Sequence, residues 1–271
     1  MMLRKLYHSV KWCAKHLKWV LQTPIIRDFA CQRNSVKFQA DGSILVIAPH
    51  ADDELIGCYQ LIKNYSSNVT VFYCSFLGSN YSDNNRVIRE NEIKNYINSQ
   101  GVGLYISSPK QIAKDLLCVI NTIKPNYVFI PSIIDWHPEH RKVNIIIADI
   151  VKNFPFYIGW YHVSLPIPGD FVSAYSSMTE TEQKNKWSSM QSFYTSQLHM
   201  DIERFVLVEK LSGETDYARE VYMILSDDRF LSIVQNAIDI EEHLDNLKSI
   251  LGDLNKMYKQ TNAFYRKICT S

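Results

Sequence analysis

Residues 43–48 read Ser-Ile-Leu-Val-Ile-Ala, and no other segment restricts the fold of this chain as strongly. The run has the length of a strand and is apolar without alternation, so both faces of that strand have to be covered. It passes directly into Pro49-His50-Ala51-Asp52-Asp53-Glu54, a turn dense in ionisable side chains, and then into the helical pattern of 54–65. A buried strand feeding a polar turn and a helix is the start of a βα unit in a parallel sheet.

The same rhythm continues to residue 163. Strands are expected at 69–74, 104–106, 127–130 and 157–163, and helices at 86–100, 111–123 and 138–153. The expected fold is therefore α/β: a Rossmann-like three-layer sandwich with a mostly parallel sheet. Ligands in such sheets bind beyond the carboxyl ends of the strands. Short late strands are expected at Phe205–Val208 and Val221–Leu225. Flanking this catalytic unit of residues 41–227 are two extensions, 1–40 and 228–271.

In the first extension Leu3, Leu6, Val10, Cys13, Leu17 and Val20 recur at steps of three and four, an amphipathic helix over 3–21. Arg4, Lys5, Lys11, Lys15 and Lys18 make its other positions basic, with Trp12 and Trp19 as interfacial aromatics. That pattern suits peripheral contact with an anionic membrane face, or an ordinary helix packed on the domain. In the last extension Ile233, Ala237, Ile240, Leu244, Leu247, Leu251, Leu254 and Tyr258 form a heptad seam. The reading is a C-terminal long helix that either pairs two copies through residues 233–258 or packs along its own domain.

With a net charge of +1 the chain has no bulk attraction for nucleic acid. Its six cysteines are scattered without a Cys-x-x-Cys pair, the usage of reduced thiols in a cytoplasmic protein, and Cys58, Cys74 and Cys118 are expected to be buried. The apolar runs are strand-sized rather than membrane-spanning.

A second ionisable cluster, Asp135-Trp136-His137-Pro138-Glu139-His140, follows another apolar strand and precedes another helix. Both clusters should therefore stand on one edge of one sheet. Either alone is ordinary, since acids at a helix start cap free N–H groups and favour the dipole. Together they provide two histidines and an aspartate, a nitrogen and oxygen set suited to Zn²⁺ or another divalent metal. A second aspartate remains as a base for the metal's water.

At this point the sequence resembles the PIG-L (LmbE-like) deacetylases, which remove acetyl groups from substrates containing N-acetylglucosamine. Their Pro-His-x-Asp-Asp-Glu motif is complete at Pro49–Glu54, and their His-Pro-x-His motif, with an acid two places before it, is matched by Asp135, His137, Pro138 and His140. The resemblance runs over roughly residues 43–225. It implies His50, Asp53 and His140 as metal ligands, Asp52 as general base, and His137 as oxyanion stabiliser or acid. It further implies that Asp135 orients a histidine and that Glu54 is structural. Arg89, in the Arg-x-x-Glu segment Arg89–Glu92, resembles a substrate-contacting residue; an i,i+3 surface ion pair explains the same spacing. Lys186 with Ser196-Gln197 resembles a further family segment. Where many members have Thr-Asp-Gly, this chain has Ser75-Phe76-Leu77-Gly78, and Asn80, Asp83 and Asn84 are nearby candidates for sugar hydroxyls.

The expected activity is zinc-dependent removal of an acetyl group from an N-acetylated sugar. A metal-dependent amidase acting on a non-sugar conjugate and a non-catalytic glycan-biosynthesis scaffold are the competing readings. His162 and His199 lie outside both motifs, and His162 is expected to be a satisfied structural histidine.

Overall fold

In the computed structural model, residues 2–32, 34–77, 82–197 and 200–270 are described; for residues 2–13, 15 and 16 this extends to the backbone alone. The strands are β1 (Val36–Lys37), β2 (Ile44–Ala48), β3 (Val69–Tyr73), β4 (Gly103–Ile106), β5 (Tyr127–Pro131), β6 (Tyr157–Tyr161), β7 (Ala174–Met178) and β8 (Ala218–Leu225). They form one sheet in the order β1-β7-β8-β6-β5-β2-β3-β4, parallel except for β8, which runs antiparallel to both β6 and β7.

Strand alternation divides the core into two layers. Leu45 and Ile47 of β2 point to one face. Ile44, Val46 and Ala48 point to the other. The second face is covered by α2 (Asp53–Asn64), α3 (Asp83–Gln100) and α6 (Glu180–Phe193). Covering the first are α4 (Ile112–Ile123), α5 (Pro138–Val151), α8 (Asp227–Ile238) and α10 (Leu254–Cys269), with α1 (Met2–Ala30) outermost against α10. Two faces hidden by helices explain why β2 is buried at every position.

From β2 the chain winds outward through β3 and β4, then returns to place β5 on the opposite side of β2. The crevice between the carboxyl ends of β2 and β5 is thus the topological switch point of the sheet, where open α/β folds bind ligands. The two ionisable clusters follow these two strands.

Several expectations need correction. Phe205–Val208 is not a strand but part of α7 (Ile202–Leu211). Its buried residues Arg204, Phe205, Val208, Glu209 and Leu211 keep helical spacing, and a four-residue apolar run carries no period of its own. Cys118 is exposed on α4, whereas Cys58 and Cys74 are buried as expected. Trp19 is no interfacial aromatic: it is 1% exposed and its indole N–H donates to Gly252 O at 3.4 Å. The side chain of Trp12, Asn80 and His199 lie outside the described residues.

The heptad seam runs through α8, α9 (Glu241–Leu244), a 3₁₀ turn at Asp245–Ile250 and α10, the long C-terminal helix. Ile233, Ala237, Ile240, Leu244, Leu247, Leu254 and Tyr258 are all buried in the chain's own core. The seam is therefore covered by the molecule itself and does not stand open to a second copy.

Candidate metal centre and cleft

His50 leaves the end of β2 and the chain turns sharply into α2. Asp52, at the N-cap, has φ of 134°, a region L-residues rarely occupy, which marks the turn as held in place by its surroundings. Asp53 folds back on the turn, its Oδ2 accepting the His50 amide at 2.8 Å. Glu54 also braces the loop: Oε2 accepts from Asp52 N at 3.2 Å, and Oε1 accepts from the Tyr194 hydroxyl. Burial raises the Glu54 carboxyl to about 7.

After β5, Asp135 organises the second loop. Its Oδ1 accepts from His137 N at 2.9 Å and its Oδ2 from Ser164 N at 3.2 Å. His137 is the N-cap of α5 and Pro138 the first helical residue, a place where the missing N–H costs nothing. One turn into the helix, fully buried His140 points back at the loop, with Nδ1 3.1 Å from Asp135 Oδ2.

Three atoms meet between the loops. His50 Nδ1 and His140 Nε2 are 3.1 Å apart, and each is 3.3 Å from Asp53 Oδ2. A tetrahedral zinc with bonds of about 2.0–2.1 Å requires ligand atoms about 3.3 Å apart, so this triangle fits such an ion. The donor set fits as well: His50 Nε2 is buried without a partner, leaving Nδ1 as the ring's engaged atom. Asp135 behind His140 is the carboxylate partner that fixes a ligand's tautomer.

Electrostatics point the same way. Burial opposes charge on His140, but Asp53 and Asp135 outweigh it and hold the imidazole up at about 10. Burial likewise opposes ionisation of Asp53, yet His140 and His50 hold it well below the usual carboxylate range. The His50 ring is pushed down by burial. Two carboxylates around His140 therefore favour positive charge between the loops.

His50, His137 and Glu139 form a second ligand-like group sharing His50. It is looser, with His137 Nδ1 3.7 Å from Glu139 Oε2 and both side chains part-exposed. Glu139 instead acts as the partner of His137, whose neighbouring ring pulls its carboxyl down to about 2.

The triad opens into a cleft of about 780 Å³ whose walls include Asp52, Phe76, Ile88, Arg89, Trp136 and His137. Asp52 is 4% exposed; burial, then the charges of Asp53 and Glu54, raises its carboxyl well above the ordinary value. Arg89 does not pair with Glu92. The ion pairs within α3 are Arg86–Glu90 at 3.1 Å, Lys94–Glu90 at 3.7 Å and Arg86–Asp83 at 3.9 Å, and Arg89 lines the cleft with Nη1 buried and unpartnered. Glu92 instead accepts from Ser196 N at 2.8 Å, from Thr195 Oγ1 at 3.2 Å and from the Ser196 hydroxyl. The two short segments of the sequence thus meet, and Ser196 and Gln197 also line the cleft. Phe76 and Leu77 contribute to its wall from the loop lacking the acid. Asp83 and Asn84 are exposed residues of the first turn of α3, and Gly78 lies outside the described residues.

Sequence reasoning missed three features. Lys248 and Leu251, from the C-terminal extension, reach the cleft, with the Lys248 ammonium 4.5 Å above the Trp136 ring. Arg141 ties that extension to the site, donating to Asp135 O at 2.9 Å and pairing with Asp245 at 2.6 Å. His162 is buried with neither ring nitrogen hydrogen-bonded, so it is not the satisfied histidine expected; burial, then Lys186 and Arg204, lowers it to about 3.

An α/β sheet with a two-loop His-Asp-His centre at its switch point defines the class. Residues 45–151 match the family described as PIG-L: GlcNAc-PI de-N-acetylase. Among solved structures, the A40926 pseudoaglycone deacetylase Dbv21 superposes with a TM-score of 0.54 at 15% identity, over 69% of this chain and 98% of that one. The zinc inhibited form of teicoplanin deacetylase Orf2 gives 0.53 at 13% identity, over 68% and 98%. The conserved protein TT1542 from Thermus thermophilus gives 0.53 at 16% identity, over 68% and 94%. These likenesses establish a shared fold.

Proposed function

We propose that this chain is a zinc-dependent de-N-acetylase, releasing acetate and a free amine from an N-acetylated amino sugar. The observation carrying the reading is the triangle of His50, Asp53 and His140, with Asp52 beside it in a cleft large enough for a sugar. When bound there, a divalent metal supplies a Lewis acid for the acyl oxygen and lowers the pKa of water to about 7. Zinc suits the mixed nitrogen and oxygen donors.

The chain's own residues do the rest. Asp52, whose carboxyl burial and the neighbouring acids hold well above its ordinary value, takes the proton from the attacking water and returns it to the departing amine nitrogen. His137, held by its amide to Asp135 and by its ring to Glu139, faces the cleft and stabilises negative charge developing on the acyl oxygen. Asp135 keeps His140 oriented. Arg89 offers an uncommitted guanidinium to substrate oxygens, and Trp136, with the Lys248 ammonium over its ring and the His137 ring against it, forms part of the cleft wall. Residues 41–227 form the catalytic unit in this reading, and the extension from 228 closes part of the cleft through Lys248 and Leu251.

The test is acetate release from a panel of N-acetylhexosamine glycosides, lipid-linked sugars and nucleotide sugars, with metal-stripped protein before and after Zn²⁺ addition. Acetate that depends on added Zn²⁺ supports the reading. Stoichiometric metal binding without acetate from any sugar would transfer the site to non-sugar amides or to a binding role.

A further inference from the structure

Helix α1 is apolar on two opposite sides. Trp19, Ile26 and Ala30 are buried against the domain, whereas Leu17, Val20, Leu21 and Ile25 are 60, 62, 67 and 53% exposed. With exposed Pro24 these four occupy an arc of about 140° opposite the buried face, at 3.6 residues per turn. Other exposed large hydrophobics among the described residues are single residues or one adjacent pair on separate elements. In the sequence the same register continues upstream through Leu3, Leu6, Val10 and Cys13, whose side chains lie outside the described residues.

Charge decides what covers this face. Residues 1–27 contain six of the chain's 29 basic residues and none of its 28 acidic ones. Lys18 is already paired with Asp253; a second copy of α1 would set the remaining cations against their like, whereas an anionic lipid surface attracts them and accepts the apolar stripe. We propose that the Leu17–Ile25 face of α1 docks on an anionic lipid surface, with the helix lying in the headgroup plane. The contact is peripheral, since no helix of the described residues is long and apolar enough to cross a membrane.

The helix is fixed to the domain rather than trailing from it. Lys18 Nζ lies 2.9 Å from Asp253 Oδ2, Gln22 Nε2 donates to Asp253 Oδ1 at 3.0 Å, and Trp19 holds Gly252 O. Leu251, next in the chain, lines the cleft. Docking through α1 therefore fixes the orientation of the cleft relative to the lipid surface.

The full chain is sedimented with vesicles of phosphatidylcholine, alone or mixed with phosphatidylglycerol, at low and high salt. Wild type is expected in the pellet with the anionic vesicles at low salt, and bound at least about tenfold more weakly to the neutral vesicles or at high salt. The triple variant Leu17→Ser/Leu21→Ser/Ile25→Ser should lose binding by at least about tenfold with an unchanged melting temperature, because the three side chains are exposed. Arg4→Gln/Lys5→Gln/Lys11→Gln should weaken it independently. The proposal is overturned if neither vesicle retains the wild type or if the triple variant binds equally well. A solution dimer that the triple variant abolishes would also overturn it, assigning the face to a second copy.

Discussion

Lys186 Nζ stands 2.7 Å from Glu220 Oε1 and 2.6 Å from the carbonyl oxygen of Ile56, deep inside the protein. The other oxygen of Glu220 accepts the amide of Gln60 at 2.9 Å. In a regular helix Ile56 O and Gln60 N would be partners. Here an ion pair from α6 and β8 attaches to both, and the backbone between them is kinked at Cys58, with φ −134° and ψ 20°. Glu209 on α7, 2.6 Å from Lys186 Nζ, completes the group. The turn carrying Asp52 and Asp53 is thus aimed by three side chains that never reach the cleft.

Removing one member leaves an unpaired buried charge. Lys186→Met is expected to cost about 3–5 kcal/mol, read by urea unfolding. Lys186→Met/Glu209→Gln/Glu220→Gln should recover part of that loss. If metal affinity, followed by Co²⁺ absorption, were unchanged in the refolded triple variant, the network would be a stabiliser without influence on the site.

Asp52 and His50 separate base from ligand. Asp52→Asn should retain the metal and lose about 10²–10⁴-fold in turnover. His50→Ala should lose the metal itself, measured by elemental content after dialysis. Full activity in Asp52→Asn would remove it from the role of base.

These two predictions show what the sequence made legible. β2 and β5 are apolar on both faces because helices cover both, so each announces itself as a run, and the ionisable residues of each motif follow at once in the chain. The ligands could be read because they sit within a few residues of a strand end. Lys186, Glu209 and Glu220 come from three elements and have no local pattern. Neither does the bond between Glu92 and Ser196, more than 100 residues apart. The stripe on α1 was legible as a period, but period alone does not say which of two apolar sides faces inward. Trp19 chose the inner side because its indole finds Gly252.

Gly57 limits how α2 can lie on the sheet. A Cβ added there would come within 2.0 Å of the Tyr161 ring, whose hydroxyl is held by Ile47 O at 2.7 Å. Gly57→Ala should destabilise the protein by about 1–3 kcal/mol through overpacking. The strain falls on the kinked segment, so metal affinity should drop with stability. A variant as stable as wild type would mean that the ring moves aside freely.

Asp253 makes the seating of α1 pH-dependent. Burial opposes its ionisation more than any single partner favours it, but Lys18, the Lys256 amide and Gln22 together outweigh this and bring the carboxyl down to about 2. A folded pKa below the unfolded value of 3.8 gives stability that is present above about pH 4 and lost as pH falls toward 2. Asp253→Asn should therefore lower the melting temperature at pH 6, with the gap closing by pH about 2. A gap that persisted in acid would assign the effect to packing rather than charge.

Arg89 separates substrate binding from chemistry. Its Nη1 is buried in the cleft wall with no protein partner, and its positive charge lowers the pKa of Asp52 against burial and the neighbouring acids. Arg89→Met should therefore act twice. Loss of a charged hydrogen bond to substrate raises KM by about 10–100-fold. Loss of the opposing charge moves the acid limb of the kcat profile upward in pH, because Asp52 then holds its proton more tightly. Arg89→Lys should restore the limb while leaving much of the KM defect, since an ammonium replaces the charge but not the planar fork. A rise in KM with an unmoved acid limb would confine Arg89 to substrate binding, and a moved limb with normal KM would confine it to tuning the base.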